Sequence, residues 1–130
     1  MPKKRTPLTR ELVLEAALKI LDEQGIVGLS MRKIASALHV EAMSLYNHVE
    51  NKNDLLNGVV DLVLSRIELP DAALPWRDRL EVSAMKIYEA FIQHPALVIV
   101  ISSEQGTPNV MQGVDSIIAA LEDAGLPPQQ

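Results

Sequence analysis

Along the first fifty residues the apolar positions recur with a helical period. Val13, Ala16, Ala17, Ile20 and Leu21 fall at i, i+3, i+4, i+7 and i+8, one face of a helix, with Thr9 placed to cap its start and Gly25 to end it. Gly28 marks the turn that follows, and Ser30 caps a second helix whose inner face is Ile34, Ala35 and Leu38. His39 and Val40 interrupt it. A third pattern begins near Glu41, with Leu45 and Val49 inside, and "ENKN" breaks it. Asn53 is the expected cap of a fourth helix, striped by Leu56, Val59, Val60, Val63 and Ile67.

Pro70 and Pro75 bracket a linker, "PDAALP". A fifth helix is expected from Trp76 to Gln93, buried through Leu80, Ala84, Ile87 and Phe91. Pro95 opens a short apolar helix. Thr107 and Pro108 open another, with Val110, Val114, Ile117, Ile118 and Leu121 inside and Gly125 stopping it. Alternation of period two is absent, so the class is all-α, and no internal repeat is visible. The ending "GLPPQQ" places Pro127 where a new helix would start. The ending reads as a hint of a longer chain, although an ordinary frayed tail would look the same.

Charge sharpens this division. The net charge is −5, but residues 1–66 carry nine Lys/Arg against eight Asp/Glu, and residues 67–130 carry three against nine. Lys3, Lys4, Arg5 and Arg10 stand in the first ten residues without an acid. One half suits a polyanion and the other does not; a solubilising tail on an acidic protein fits the same numbers. There is no cysteine, which excludes disulfides and thiolate sites. The N-terminus lacks the apolar stretch of a secretory signal, and the longest apolar run, "ALVIVI", is too short to span a bilayer, so a cytoplasmic protein is expected.

The second and third helices are joined by a turn of about three residues, with the first helix behind them. That spacing is a helix-turn-helix, in which the second helix presents small or polar side chains to the major groove. Here they are Ala42, Met43, Ser44 and Asn47. By spacing alone an ordinary helical corner fits as well.

The residues themselves go further. "EQGIVGLSMRKIA", "SLYNHV" and "NKNDLL", within a block of about residues 9–60, closely resemble the DNA-binding domain of the TetR family of transcriptional regulators. More loosely, "PW…R" and "LEDAGL" resemble the regulatory domain of its tetracycline-repressor-like members. The resemblance implies a DNA-binding domain over 1–52, and over 53–130 helix four with the first part of a helical ligand-binding and dimerisation domain. It implies base contacts from Arg32, Ala42, Met43 and Ser44 and phosphate contacts from Tyr46, His48 and Lys52, with Lys33, Glu41 and Asn47 completing the DNA-facing set. The residue-level alternatives are a Tyr46 ring packed on helix one, an ordinary surface histidine at His48 and a solvated Lys52. Two positions depart from the family pattern: His39 replaces the usual turn glycine, and Ala42 is too short to hydrogen-bond a base.

The three histidines, His39, His48 and His94, form no metal-ligand spacing, and no Gly-rich phosphate loop appears. No enzyme, cofactor or metal is expected. Tetracycline-responsive members hold a metal–drug chelate with a histidine late in helix four; that position is Glu68 here, so such a chelate is not expected. The resemblance instead implies a small-molecule effector, with Trp76, Met85, Tyr88, Phe91, His94 and Met111 as candidate lining. Residues at helical spacing are also ordinary core. The resulting expectation is an effector-responsive repressor that binds a palindromic operator in double-stranded DNA. It would act as a homodimer through C-terminal helices beyond this sequence. The alternative is an all-α protein-interaction module that has lost DNA binding.

Overall fold

The computed structural model describes residues 7–103 and 108–125, and the basic stretch Lys3–Arg5, Thr107 and Pro127 lie outside them. Among the described residues there are seven α-helices, one 3-10 turn and no strand. The helices are α1 (Arg10–Gln24), α2 (Met31–Leu38), α3 (Ala42–Leu45), α4 (Lys52–Ser65), α5 (Trp76–Gln93), α6 (Ala96–Ser103) and α7 (Pro108–Asp123); the 3-10 turn is Ile26–Gly28. The chain forms two compact units, which meet in sequence at Val59 and Val60. That point lies inside α4, whereas the sequence divides the domains at residues 52 and 53.

In the first unit the caps are the expected ones at three of four places. Thr9 Oγ1 accepts the Leu12 N–H at 3.1 Å, and Ser30 Oγ accepts the Lys33 N–H at 3.1 Å. Gly25, at φ 73°, ends α1. The fourth differs: Asn51, not Asn53, caps α4, its Oδ1 accepting the Asp54 N–H at 2.8 Å. Gly28 is demanded by space, because a Cβ there would stand 2.4 Å from the Cβ of Gln24.

α1 packs on α2 and on the 3-10 turn, and α2 packs on α3. Val13, Ala17, Leu21, Ile34, Leu45 and Leu55 are buried among them. α1 buries a wider face than its periodicity indicates, since Leu14 and Leu18 are inside as well. α2 ends in a Schellman motif: Val40 N–H donates to Ala35 O and His39 N–H to Ser36 O. His39 is the left-handed residue of that motif, at φ 57°, ψ 42°. It takes a left-handed conformation that favours glycine, at a steric cost glycine would not incur.

In the second unit α5 packs with α7 and α6. Before it, Asp71 turns the chain, its Oδ1 accepting the Ala73 N–H at 2.9 Å. α5 has the expected limits, and of its expected inward residues Leu80, Ile87 and Phe91 are half-buried. Arg79, Ser83 and Ala90 are buried, and Ala84 is exposed. Arg79 pairs with Asp123 at the end of α7, and its Nε has no partner among the described residues. Leu97, Val100 and Ala120 are buried in α6 and α7. Val114 and Ile118, expected inside, are exposed; the Val110 side chain lies outside the described residues.

Candidate nucleic-acid interface

The segment after the turn is short. α3 has four residues and passes into turns at Tyr46–His48. Two side chains root it: Leu45 is fully buried and Val49 is 2% exposed. Rooting at i and i+4 leaves the other positions facing away. Glu41, Met43, Tyr46 and Asn47 are exposed, and Ala42, Ser44 and His48 are half-buried. Ser44 Oγ donates to Glu41 O at 2.6 Å, within its own helix. Tyr46, 48% exposed, does not bury its ring against α1.

The basic residues flank this segment. Arg32 and Lys33 are exposed in the first turn of α2. Lys33 Nζ donates to Gln24 Oε1 at 2.6 Å, and Lys52 Nζ, at the first residue of α4, lies 3.3 Å from Leu29 O. Lys52 is thus tethered near the start of α2, not free in solvent. Arg32, Lys33, Glu41 to Ser44, Tyr46 to His48 and Lys52 all belong to the first unit. The arrangement offers an exposed segment that is neutral apart from Glu41, with Arg and Lys at its borders. Such a surface can reach base edges with the one and phosphates with the other.

Sequence reasoning missed Arg10 and Asp54. The Arg10 guanidinium meets both carboxylate oxygens of Asp54, at 3.0 and 3.1 Å. Arg10 hydrogen bonding, and after it the Glu50 N–H, hold the Asp54 carboxyl below its ordinary value of 3.8, against an opposing pull from partial burial. The folded chain therefore holds that proton less tightly than the unfolded one. The stabilisation is complete above the ordinary value and is lost as pH falls through it towards the lower folded value. The partners are 44 residues apart, so no local pattern in the sequence could have paired them.

The second unit holds a cavity of about 310 Å³. Leu64, Ile67, Leu69, Ile87, Phe91 and Ile117 line it, with Ser65 and Gln112 as the polar members. Of the expected effector residues, Phe91 is there. His94 borders a separate recess with Arg66, Lys86 and Glu89. Met85 and Tyr88 are exposed on α5, and Trp76 carries Arg77 over its ring at 5.4 Å. The side chain of Met111 lies outside the described residues. Among the described residues no group of three or more His, Asp or Glu side chains is placed to hold a metal ion. Among the described residues no helix is long and apolar enough to cross a membrane.

Comparison with known proteins agrees with this architecture. Residues 13–59 match the family described as bacterial regulatory proteins, tetR family, and residues 69–130 match the tetracyclin repressor-like C-terminal domain. An HTH-type transcriptional regulator of Saccharopolyspora erythraea is 34% identical over 120 residues, 91% of this chain and 51% of that protein. The structure of BioQ with its double-stranded DNA operator superposes with a TM-score of 0.81 at 31% identity, covering 94% of this chain and 75% of that one. ActR of Streptomyces coelicolor, in complex with actinorhodin, gives a TM-score of 0.83 at 32% identity, covering 94% and 58%. The chain spans about half the length of the curated relatives it matches. On these matches the chain belongs to the tetR family of bacterial regulatory proteins.

Proposed function

We propose that this chain is the DNA-reading part and the beginning of the effector domain of a transcriptional repressor. The observation that carries the proposal is the segment 41–49: two buried anchors, with the remaining side chains outward and Arg32, Lys33 and Lys52 beside them. BioQ, of the same fold, is solved on a DNA operator, which supports a duplex as the partner. In this reading Arg32 meets a base edge, Met43 and Asn47 face the groove, and Tyr46, His48 and Lys52 grip phosphates. Ala42 contributes van der Waals contact alone.

The active species is a homodimer on a palindrome, with recognition segments about 34–36 Å apart, one turn of B-DNA. The cavity of the second unit takes a small, mostly apolar effector, because among the described residues Ser65 and Gln112 are its polar lining and no charged side chain lines it. ActR, solved in complex with actinorhodin, supports a small-molecule effector in this domain. Leu64 and Ser65, at the end of α4, line the cavity, and Lys52 starts the same helix. An effector that prefers one arrangement of α4 supplies the coupling energy between the two functions. The reading assigns no catalytic step, and it places the protein in the cytoplasm.

The test begins with selection of bound sequences from random duplex DNA. On the recovered operator, Arg32→Ala loses about 1–3 kcal/mol and relaxes specificity at the contacted base. Lys52→Ala weakens all duplexes alike and lowers the salt slope by about one. A chain that enriches no sequence and binds no duplex at low salt is instead a protein-interaction module.

A further inference from the structure

Three parts of the first unit meet at one guanidinium. Arg10 is the first residue of α1. Its Nη1 and Nη2 lie 3.0 and 3.1 Å from the two oxygens of Asp54, the forked geometry only arginine makes with a carboxylate. Nη1 also donates to His48 O at 2.9 Å. Asp54 in turn accepts the Glu50 N–H at 2.9 Å. The stretch that follows α3 is therefore fastened on both sides of Val49, by a carbonyl at 48 and an amide at 50. Gly58, on the same face of α4 as Asp54, completes the arrangement. A Cβ there would come within 2.9 Å of Arg10 Nη2 and 2.8 Å of Leu14 Cδ2. Glycine inside a helix is unfavourable in itself, and here its missing side chain leaves room for the guanidinium.

None of these groups is needed to bury the segment, since Leu45 and Val49 already do so. What the bonds add is direction. They fix the path of the backbone from Tyr46 to Lys52, and with it the phosphate-facing groups of the proposed interface. We infer that Arg10 and Asp54 are positioning residues for DNA binding: a latch that holds the Tyr46–His48 turn against α4 without touching DNA. The inference rests on the DNA-binding reading above.

The competing role for Arg10 is a direct grip on phosphate, and charge separates the two. Asp54→Asn removes a negative charge beside DNA, so by electrostatics alone it strengthens binding. A latch predicts the opposite sign. With the selected operator duplex, Asp54→Asn and Arg10→Gln each weaken binding by a similar factor, roughly tenfold as expected for losing charge-assisted hydrogen bonds. The double variant is no weaker than the worse single one. Arg10→Lys fails to restore binding, because an ammonium cannot span both carboxylate oxygens and the His48 carbonyl. The salt slope stays at its wild-type value in all of them. Tighter binding by Asp54→Asn, or rescue by Arg10→Lys, overturns the latch and makes Arg10 a phosphate contact. Hydrogen exchange in the unbound protein gives a second reading: the Glu50 amide is protected in wild type and exposed in Asp54→Asn. An unprotected Glu50 amide in wild type overturns the latch alone. A wild-type chain with Glu50 protected that binds no duplex overturns the DNA reading, and the positioning role with it.

Discussion

Residues 10–59 bury Val13, Leu21, Ile34, Leu45 and Leu55 to 1% exposure or less, and the large apolar groups they leave out are Val27, Met43 and Tyr46. In the second unit Met85, Tyr88 and Ile92 stand exposed at i, i+3 and i+7 along α5, joined by Val98 and Ile99 on α6 and Val114 and Ile118 on α7. Its buried set includes an arginine and a serine. The first unit spends its apolar residues on a closed core, and two of its exposed ones sit on the proposed DNA face. The second shows a helical stripe of the kind that packs against another surface, and its internal space is a cavity. Specification by packing is clearest in the first unit, while the second holds a cavity, which suits the effector proposed above.

The contrast is tested most strongly by truncating one side chain in each region. Leu45→Ala should cost about 2–5 kcal/mol, the range for a buried leucine, and should abolish DNA binding with it. Ile92→Ala on the exposed stripe should stay within about 0.5 kcal/mol. Denaturant midpoints at constant slope measure both. Equal losses would mean that the second unit packs as tightly as the first.

A smaller effect is expected where buried Arg79 pairs with exposed Asp123. The Arg79 side chain is 6% exposed and that of Asp123 59%. Asp123→Ala strands a buried guanidinium whose Nε already lacks a partner, and should cost about 1–3 kcal/mol. Arg79→Met, which removes the charge and keeps the bulk, should be neutral or stabilising. Thermal unfolding of the two variants gives the comparison; a larger loss in Arg79→Met would show that the pair itself holds α5 to α7.

The smallest shift, and of opposite sign, belongs to His39. His39→Gly relieves the left-handed conformation and should raise stability by up to about 1 kcal/mol, since the gain is offset by the entropy of a glycine in the unfolded chain. A fall in melting temperature would mean that the imidazole contributes more than its backbone strain removes.

Most of the first unit could be read from its sequence because local rules and tertiary packing agree there. Thr9, Ser30 and Gly25 do what their types predict, and Leu45 and Val49 are the inward pair. Asn51 and Asn53 are equivalent by type, and only the Asp54 amide chooses between them. α5 was legible in its limits and in part of its face, since Ile87 and Phe91 turn to the cavity while Ala84 is exposed. Periodicity counts apolar residues, and this helix turns Arg79 and Ser83 inward. The proposed DNA-facing residues all fall within one stretch, 32–52, so a local motif can nominate them. The Arg10–Asp54 latch joins positions far apart, and the cavity draws on four separate helices, so neither leaves a local trace.

The rooting of segment 41–49 by two side chains has an evolutionary consequence. Substitutions at exposed positions away from special contacts usually change stability by no more than about 0.5 kcal/mol. Glu41, Met43 and Asn47 are such positions, with Leu45 and Val49 carrying the burial between them. On the DNA-reading proposal, the preferred operator can thus drift, residue by residue, while the fold stays under separate selection. On the same proposal, a lineage can acquire new target genes without passing through an unfolded intermediate.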